Sequence, residues 1–83
     1  MKVRYFAWVR ERIGKAEEDV EVPATVATVG ELVAWLTRRG EGYAYAFENP
    51  KVIRAALDRS HVRADARIAG AAEIAFFPPM TGG

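Results

Sequence analysis

The sequence closes on Thr81-Gly82-Gly83, directly after Phe76-Phe77-Pro78-Pro79-Met80, and its most distinctive chemical group is the carboxylate of Gly83. Glycine has no Cβ and accepts almost any backbone angle, so a Gly-Gly end can pass through a channel too narrow for other residues. A free carboxylate does not react with nucleophiles until it acquires a better leaving group. Adenylation by ATP supplies one, and attack by a sulfur donor then leaves a terminal thiocarboxylate. An extended run from Pro78 to Gly83 reaches about 20 Å at about 3.3 to 3.6 Å per residue, enough to enter a partner's pocket while the domain stays outside. Pro78 and Pro79 lower the entropy lost on threading, because their φ angles are already fixed. A strand-like apolar run leads into the glycines with no polar linker between.

Other chemistry lacks parts. The chain has no cysteine and a single histidine, His61, which removes thiol nucleophiles, disulfides and thiolate metal sites. Ser60 adjoins His61, but neighbours on a strand point to opposite faces and make a poor nucleophile and base pair. No His or carboxylate spacing suggests a metal site. Gly40-Glu41-Gly42 lacks the remaining glycine and the Lys-Ser/Thr pair of a phosphate loop. Arg38-Arg39 is most simply a favourable pair at a helix C-terminus. Lys plus Arg number 12 against 11 Asp plus Glu, which gives no electrostatic footprint for nucleic acid or anionic lipid. The apolar start Val3 to Val9 is broken by Arg4 and followed by Arg10-Glu11-Arg12, so a signal peptide or membrane span is not expected, and the cytoplasm is the expected compartment.

The 83 residues allow one small domain, with 51% hydrophobic and 28% charged residues. Lys2 to Trp8, rich in Val, Tyr, Phe and Trp, reads as a first strand. Arg10 to Gly14 reads as the turn of a wide hairpin, and Glu18 to Val22 as its second strand, closed by Pro23. Thr28-Val29-Gly30-Glu31 fits a capping box, and Val29, Leu32, Val33 and Leu36 follow at helical spacing, predicting a helix over about 29–39. Gly40 stands where a left-handed C-terminal residue is expected. Residues 41–49 are ambiguous: Tyr43, Tyr45 and Phe47 alternate like a strand, while the interleaved alanines permit a short helix. Val52 to Leu57 reads as a strand, Asp58-Arg59-Ser60 as a turn, and His61-Val62 as a short strand. Arg63 to Ala72 has only Ile68 as a large apolar anchor and Gly70 as a turn signal. Glu73 to Phe77 is the last strand.

This order predicts an α+β unit, a mixed sheet of about five strands with one main helix packed across it. If the first and last strands are parallel central neighbours, the arrangement is the β-grasp of ubiquitin. Residues 1–77 then form the domain, and 78–83 a flexible tail carried out from its edge.

Three segments resemble one family. Val3-Arg4-Tyr5-Phe6-Ala7 with Val9-Arg10-Glu11, the helix start Thr28-Val29-Gly30-Glu31-Leu32, and the block from Glu73 to Gly83 are together similar to the small subunit of molybdopterin synthase, a ubiquitin-like sulfur carrier. The last block is the most specific, because related thiamine-pathway carriers reach Gly-Gly without Phe-Phe-Pro-Pro. The resemblance implies that an adenylyltransferase of the ubiquitin-activating type uses ATP to activate Gly83, that a sulfur donor enzyme converts it to the thiocarboxylate, and that a large subunit transfers the sulfur to cyclic pyranopterin monophosphate. It implies a non-catalytic, sulfur-donating subunit of a heterotetramer, with the catalytic residues on the large subunit and no bound cofactor or metal. Gly82 would line the large subunit's tunnel with Gly83, and Phe6, Arg10, Phe77, Pro78, Pro79, Met80 and Thr81 would meet that partner. For Phe6 and Phe77 a place in the core is an equal alternative, and for Arg10 a solvated loop charge. The chain departs from the family at Leu57-Asp58, where Val-Asn is usual, at His61, where an apolar contact is usual, and at Gly70-Ala71-Ala72-Glu73, which stands for Asp-Gly-Asp-Glu. These departures bear on partner choice and on the geometry of that turn.

Three rival readings share the β-grasp. One is a sulfur carrier for thiazole formation or another thiolation. Another is a protein modifier joined to a target lysine through Gly83. The third is an interaction module in which the Gly-Gly is incidental.

Overall fold

The structure, a computed structural model, describes residues 1–79. The chain runs through strand β1 (Lys2–Tyr5), helix α1 (Ala7–Ile13), strand β2 (Glu17–Asp19), helix α2 (Val29–Thr37), helix α3 (Glu41–Ala46), a 3₁₀ turn at Pro50–Val52, and strands β3 (Arg54–Leu57), β4 (Ser60–Val62) and β5 (Glu73–Phe77). The five strands form one sheet in the order β2-β1-β5-β3-β4. β1 and β5 are parallel central neighbours, with Val3 beside Ile74 and Tyr5 beside Phe76, and the other pairings are antiparallel. That is the β-grasp.

Strand alternation separates two faces. Val3, Tyr5, Ile74, Phe76 and Ala55 point inward and are at most 5% exposed. Helix α2 supplies Val29, Leu32, Val33 and Leu36 to the same core. Three aromatic rings close its centre: Phe76 stacks on Tyr5 with centroids 6.5 Å apart and receives the edge of Phe47 at 5.2 Å. The opposite face carries Arg4, Ala75, Ala56 and His61 in one row and Phe77 with Arg54 in the next. α2 is the longest helix and starts at the predicted box: the Glu31 N–H donates to Thr28 Oγ1 (3.2 Å), and the Thr28 N–H donates to Glu31 Oε1 (3.0 Å). The N–H groups of Ala27 and Thr28, both donating to its carboxylate, hold the Glu31 pKa below its ordinary value.

The strand expected from Lys2 to Trp8 is shorter than its composition suggests. It ends at Tyr5, and the supposed turn at Arg10 to Gly14 belongs to helix α1. Val9 and Ile13 lie four apart on the inward side, and Gly14, at φ 88°, ends the helix by donating its N–H to the Arg10 carbonyl at 2.7 Å. The same local period decides 41–49: Tyr43, Ala46 and Phe47 are buried at i, i+3 and i+4, while Tyr45 faces outward, 53% exposed. Gly40 does not end α2 in a left-handed conformation. Its φ of 161° is extended, and α2 stops at Thr37 with Arg38 as its cap. β2 is Glu17–Asp19, starting one residue before the expected 18–22 and ending three residues short of it, although Val20 still exchanges backbone hydrogen bonds with Met1. The third strand begins at Arg54 because Pro50–Val52 is wound as a 3₁₀ turn.

The unusual turn sequences compensate one another. Asp58 and Arg59 adopt φ 45° and 72°, reversing β3 into β4. The Asp58 carboxylate then accepts the N–H groups of Ala72 and Glu73, each at 3.0 Å, at the entry of β5. An aspartate on one turn thus satisfies the backbone of another whose own residues, Gly70-Ala71-Ala72, offer no polar side chain.

Candidate functional site

The site the sequence points to is the end of the β1–β5 pair from which the chain continues to Gly83. Because the strands are parallel, Phe6 follows Tyr5 at the same end at which Phe77 follows Phe76. The Phe6 N–H donates to the Phe76 carbonyl at 3.1 Å, tying the start of α1 to the last strand. Ala7, next in line, takes φ 52°, a left-handed conformation that turns the chain sharply out of the sheet.

Exposure separates the aromatics. Phe76 is fully buried, whereas Phe6 is 44% exposed and is not a core residue. Phe77 is half-buried on the outer face of the sheet, where the edge of His61 meets its ring at a centroid distance of 5.3 Å. Arg10 is exposed on α1, and its N–H donates to the Phe6 carbonyl at 3.4 Å. Phe6 and Phe77 thus follow the same end of the central strands, and His61 reaches the Phe77 ring from β4, in register with the small side chains of Ala56 and Ala75. Pro78 and Pro79 are half-buried and continue from β5 without regular structure. Met80, Thr81, Gly82 and Gly83 lie outside the described residues.

Ser60 and His61 pair across β4 with Leu57 and Ala56 respectively, on alternating faces, so the hydroxyl and imidazole do not converge. Among the described residues no group of three His, Asp or Glu side chains is placed to hold a metal ion. No helix among them is long and apolar enough to cross a membrane.

Two features of the molecule were not legible as pairs in the sequence. Glu18 accepts hydrogen bonds from the hydroxyls of Tyr43 (2.6 Å) and Tyr5 (2.8 Å), and Lys15 and Arg39 lie 3.2 and 3.4 Å from its other oxygen. Burial works against the charged carboxylate, but the hydrogen bonds from Tyr43, Tyr5 and Lys15 and the nearby Arg39 charge outweigh it, and the pKa falls below its ordinary value. Burial, reinforced by the Glu18 charge, pushes both phenols upward. The second is Arg12, whose guanidinium lies between the rings of Trp8 (4.3 Å) and Tyr45 (4.0 Å) and fastens α1 to α3.

The comparisons agree with this geometry. Over all 83 residues the chain is 37% identical to the molybdopterin synthase sulfur carrier subunit of Escherichia coli K12, and the alignment covers 99% of that protein. Its identity to the Haemophilus influenzae subunit of the same name is 31%, with the same coverage. Among solved structures, a putative molybdopterin converting factor subunit 1 from Pyrococcus furiosus superimposes with a TM-score of 0.74 at 25% identity, covering 95% of each chain. The small archaeal modifier protein 1 of H. volcanii superimposes with a TM-score of 0.68 at 27% identity, covering 96% of this chain and 97% of that one. The ThiS family model matches residues 3–83, from the first central strand to the terminal glycine, and the chain belongs to the ThiS family.

Proposed function

We propose that this protein is the sulfur-carrier subunit of a molybdopterin synthase and that Gly83 is the residue that carries the sulfur. The observation that carries the reading is the end-to-end similarity to two proteins named as such carriers. In the proposed sequence, an oxygen of the Gly83 carboxylate attacks the α-phosphorus of ATP on an adenylyltransferase, and pyrophosphate leaves. Hydrosulfide, released from a donor enzyme's persulfide by a thiol reductant, adds to the acyl carbon and expels AMP, leaving the thiocarboxylate. On the large subunit the thiocarboxylate sulfur forms a C–S bond to a side-chain carbon of cyclic pyranopterin monophosphate as a C–O bond at that carbon breaks, the oxygen leaving as water or staying on the opened cyclic phosphate. Water then cleaves the acyl–sulfur bond, returning the carboxylate and leaving sulfur on the pterin.

In this scheme the domain supplies binding and direction. Phe6 and Phe77 anchor the large subunit, Arg10 contributes a charge at the rim, and Pro78 to Thr81 lead the glycines into its tunnel. Incubating the chain with ATP, the adenylyltransferase, a sulfur source, the large subunit and cyclic pyranopterin monophosphate tests the scheme. Molybdopterin is expected from the full chain and none from a chain lacking Gly83. Product from the shortened chain would refute it.

The structural likeness to an archaeal modifier protein favours one second reading, conjugation of Gly83 to a target lysine. It ranks below the first because the identity to that protein is 27% against 37% to the sulfur carrier.

A further inference from the structure

Away from the tail, α2 and the β3–β4 hairpin leave a cleft of about 340 Å³ between them. It exists because the inward residue of β3 is Ala55, which stands between Phe76 on β5 and Val62 on β4 and leaves the inner face low there. Ile53 and Val62 give the cleft its accessible apolar walls, above the buried Val33, Ala55 and Phe76. Its rim is of one sign: Lys51 and Arg63 line it, no acidic side chain does, and neither forms an ion pair among the described residues. Lys2, Arg4, Arg12, Lys15 and Arg39 each lie within 4.0 Å of a glutamate, whereas Arg10, Arg38, Arg59 and Arg67, like the cations of the cleft, form no ion pair among the described residues. The start of α2 offers no competing anion site, because the N–H groups of Val29 and Gly30 are taken by the carbonyls of Ala66 and Ala64.

We infer that this cleft is a binding site for a small amphipathic anion, an apolar-bodied carboxylate whose chain lies against Ile53 and Val62 and whose head group meets Lys51 and Arg63. Its volume falls at the lower end of small-ligand pockets, and an apolar wall with a few convergent polar groups is their usual make-up. The uncompensated charge selects the sign of the occupant, and the apolar walls select its body. The inference does not depend on what Gly83 carries.

Amide resonances of the uniformly labelled full chain, titrated with sodium decanoate, decanol and decyltrimethylammonium, test it. The expected result is saturable shifts confined to Val33, Ile53, Ala55, Val62 and their neighbours, with decanoate tightest and the ammonium weakest. The double variant Lys51→Gln/Arg63→Gln should weaken decanoate binding about three- to thirtyfold and abolish its preference over decanol. Ala55→Leu should fill the cleft and remove the shifts while the circular dichroism spectrum stays that of the wild type; should that variant fail to fold, the charge variant still decides. Equal affinity for the three head groups, shifts centred on Phe6 or Tyr45, or no saturation at millimolar decanoate would overturn the assignment. An acidic, leucine-containing peptide that occupied the cleft more tightly than decanoate would overturn it in favour of a protein partner.

Discussion

Glu18 joins distant parts of the fold through one carboxylate. It touches β1 through Tyr5 and α3 through Tyr43, and Arg39 beyond the end of α2 lies beside it. Its folded pKa lies below the ordinary 4.5, so the folded state binds that proton less well than the unfolded chain does. The stabilisation is therefore complete above about pH 4.5 and drains away as pH falls through the lowered value. Glu18→Gln should cost about 1 to 3 kcal/mol at neutral pH, as the loss of charge-assisted hydrogen bonds would. Urea unfolding at a series of pH values should show the gap to wild type narrowing in acid, whereas a constant gap would deny the carboxylate its role. None of this cluster was legible in the sequence, because Glu18 is separated from Tyr5 by 13 residues and from Tyr43 by 25. The Thr28–Glu31 box was legible because both partners lie within one turn.

Among elements, the ones read correctly were those whose signal lay within a few residues. α2 has its box and its i, i+3, i+4 stripe, and β5 has alternation with a proline stop. α1 was misread because Val3, Tyr5, Ala7 and Val9 continue the strand period through a turn made by the left-handed backbone of Ala7, and nothing in that side chain announces such a turn. The junction of α1 and α3 rests on Gly42, where an added Cβ would lie 2.8 Å from the Arg12 carbonyl oxygen. Gly42→Ala should therefore force the helices apart and cost about 1 to 3 kcal/mol. Gly30→Ala is the control: its Cβ would meet the Ala64 carbonyl at 3.4 Å, an ordinary contact, and the better helix former should leave stability unchanged or raise it by up to about 1 kcal/mol. Thermal melts of the two variants should move in opposite directions or leave only Gly42→Ala displaced. Equal destabilisation would mean that both glycines serve the helices rather than the junction.

At the scale of the molecule, the sheet order puts the strand that leads to the terminal glycines in the centre of the fold, held on one side by β1 and on the other by β3. That placement fixes the direction in which the chain leaves Phe77 and sets Phe6 beside it, half exposed where a core aromatic would be closed off. If these side chains anchor a large subunit, Phe6→Ala and Phe77→Ala should each weaken its binding by about 1 to 4 kcal/mol in calorimetric titration. Phe6→Ala should leave the melt of the isolated chain nearly unmoved, and a variant that melted early yet bound with full affinity would mark its phenylalanine as a core residue. The sequence carried the sheet order through its element order and pointed to a candidate site through its last eleven residues, but it could not show the cationic cleft, which depends on Ala55, Val62 and Phe76 meeting across three strands. The claim that Gly83 is a sulfur-bearing group meets its most direct test in the intact mass of the protein isolated from its native host without reducing or alkaline treatment. The account predicts a population heavier than the encoded chain by the exchange of one oxygen for one sulfur, located to Gly83 by fragmentation and absent when the adenylyltransferase is deleted. A chain found only at its encoded mass, or joined through Gly83 to lysines of other proteins, would contradict it.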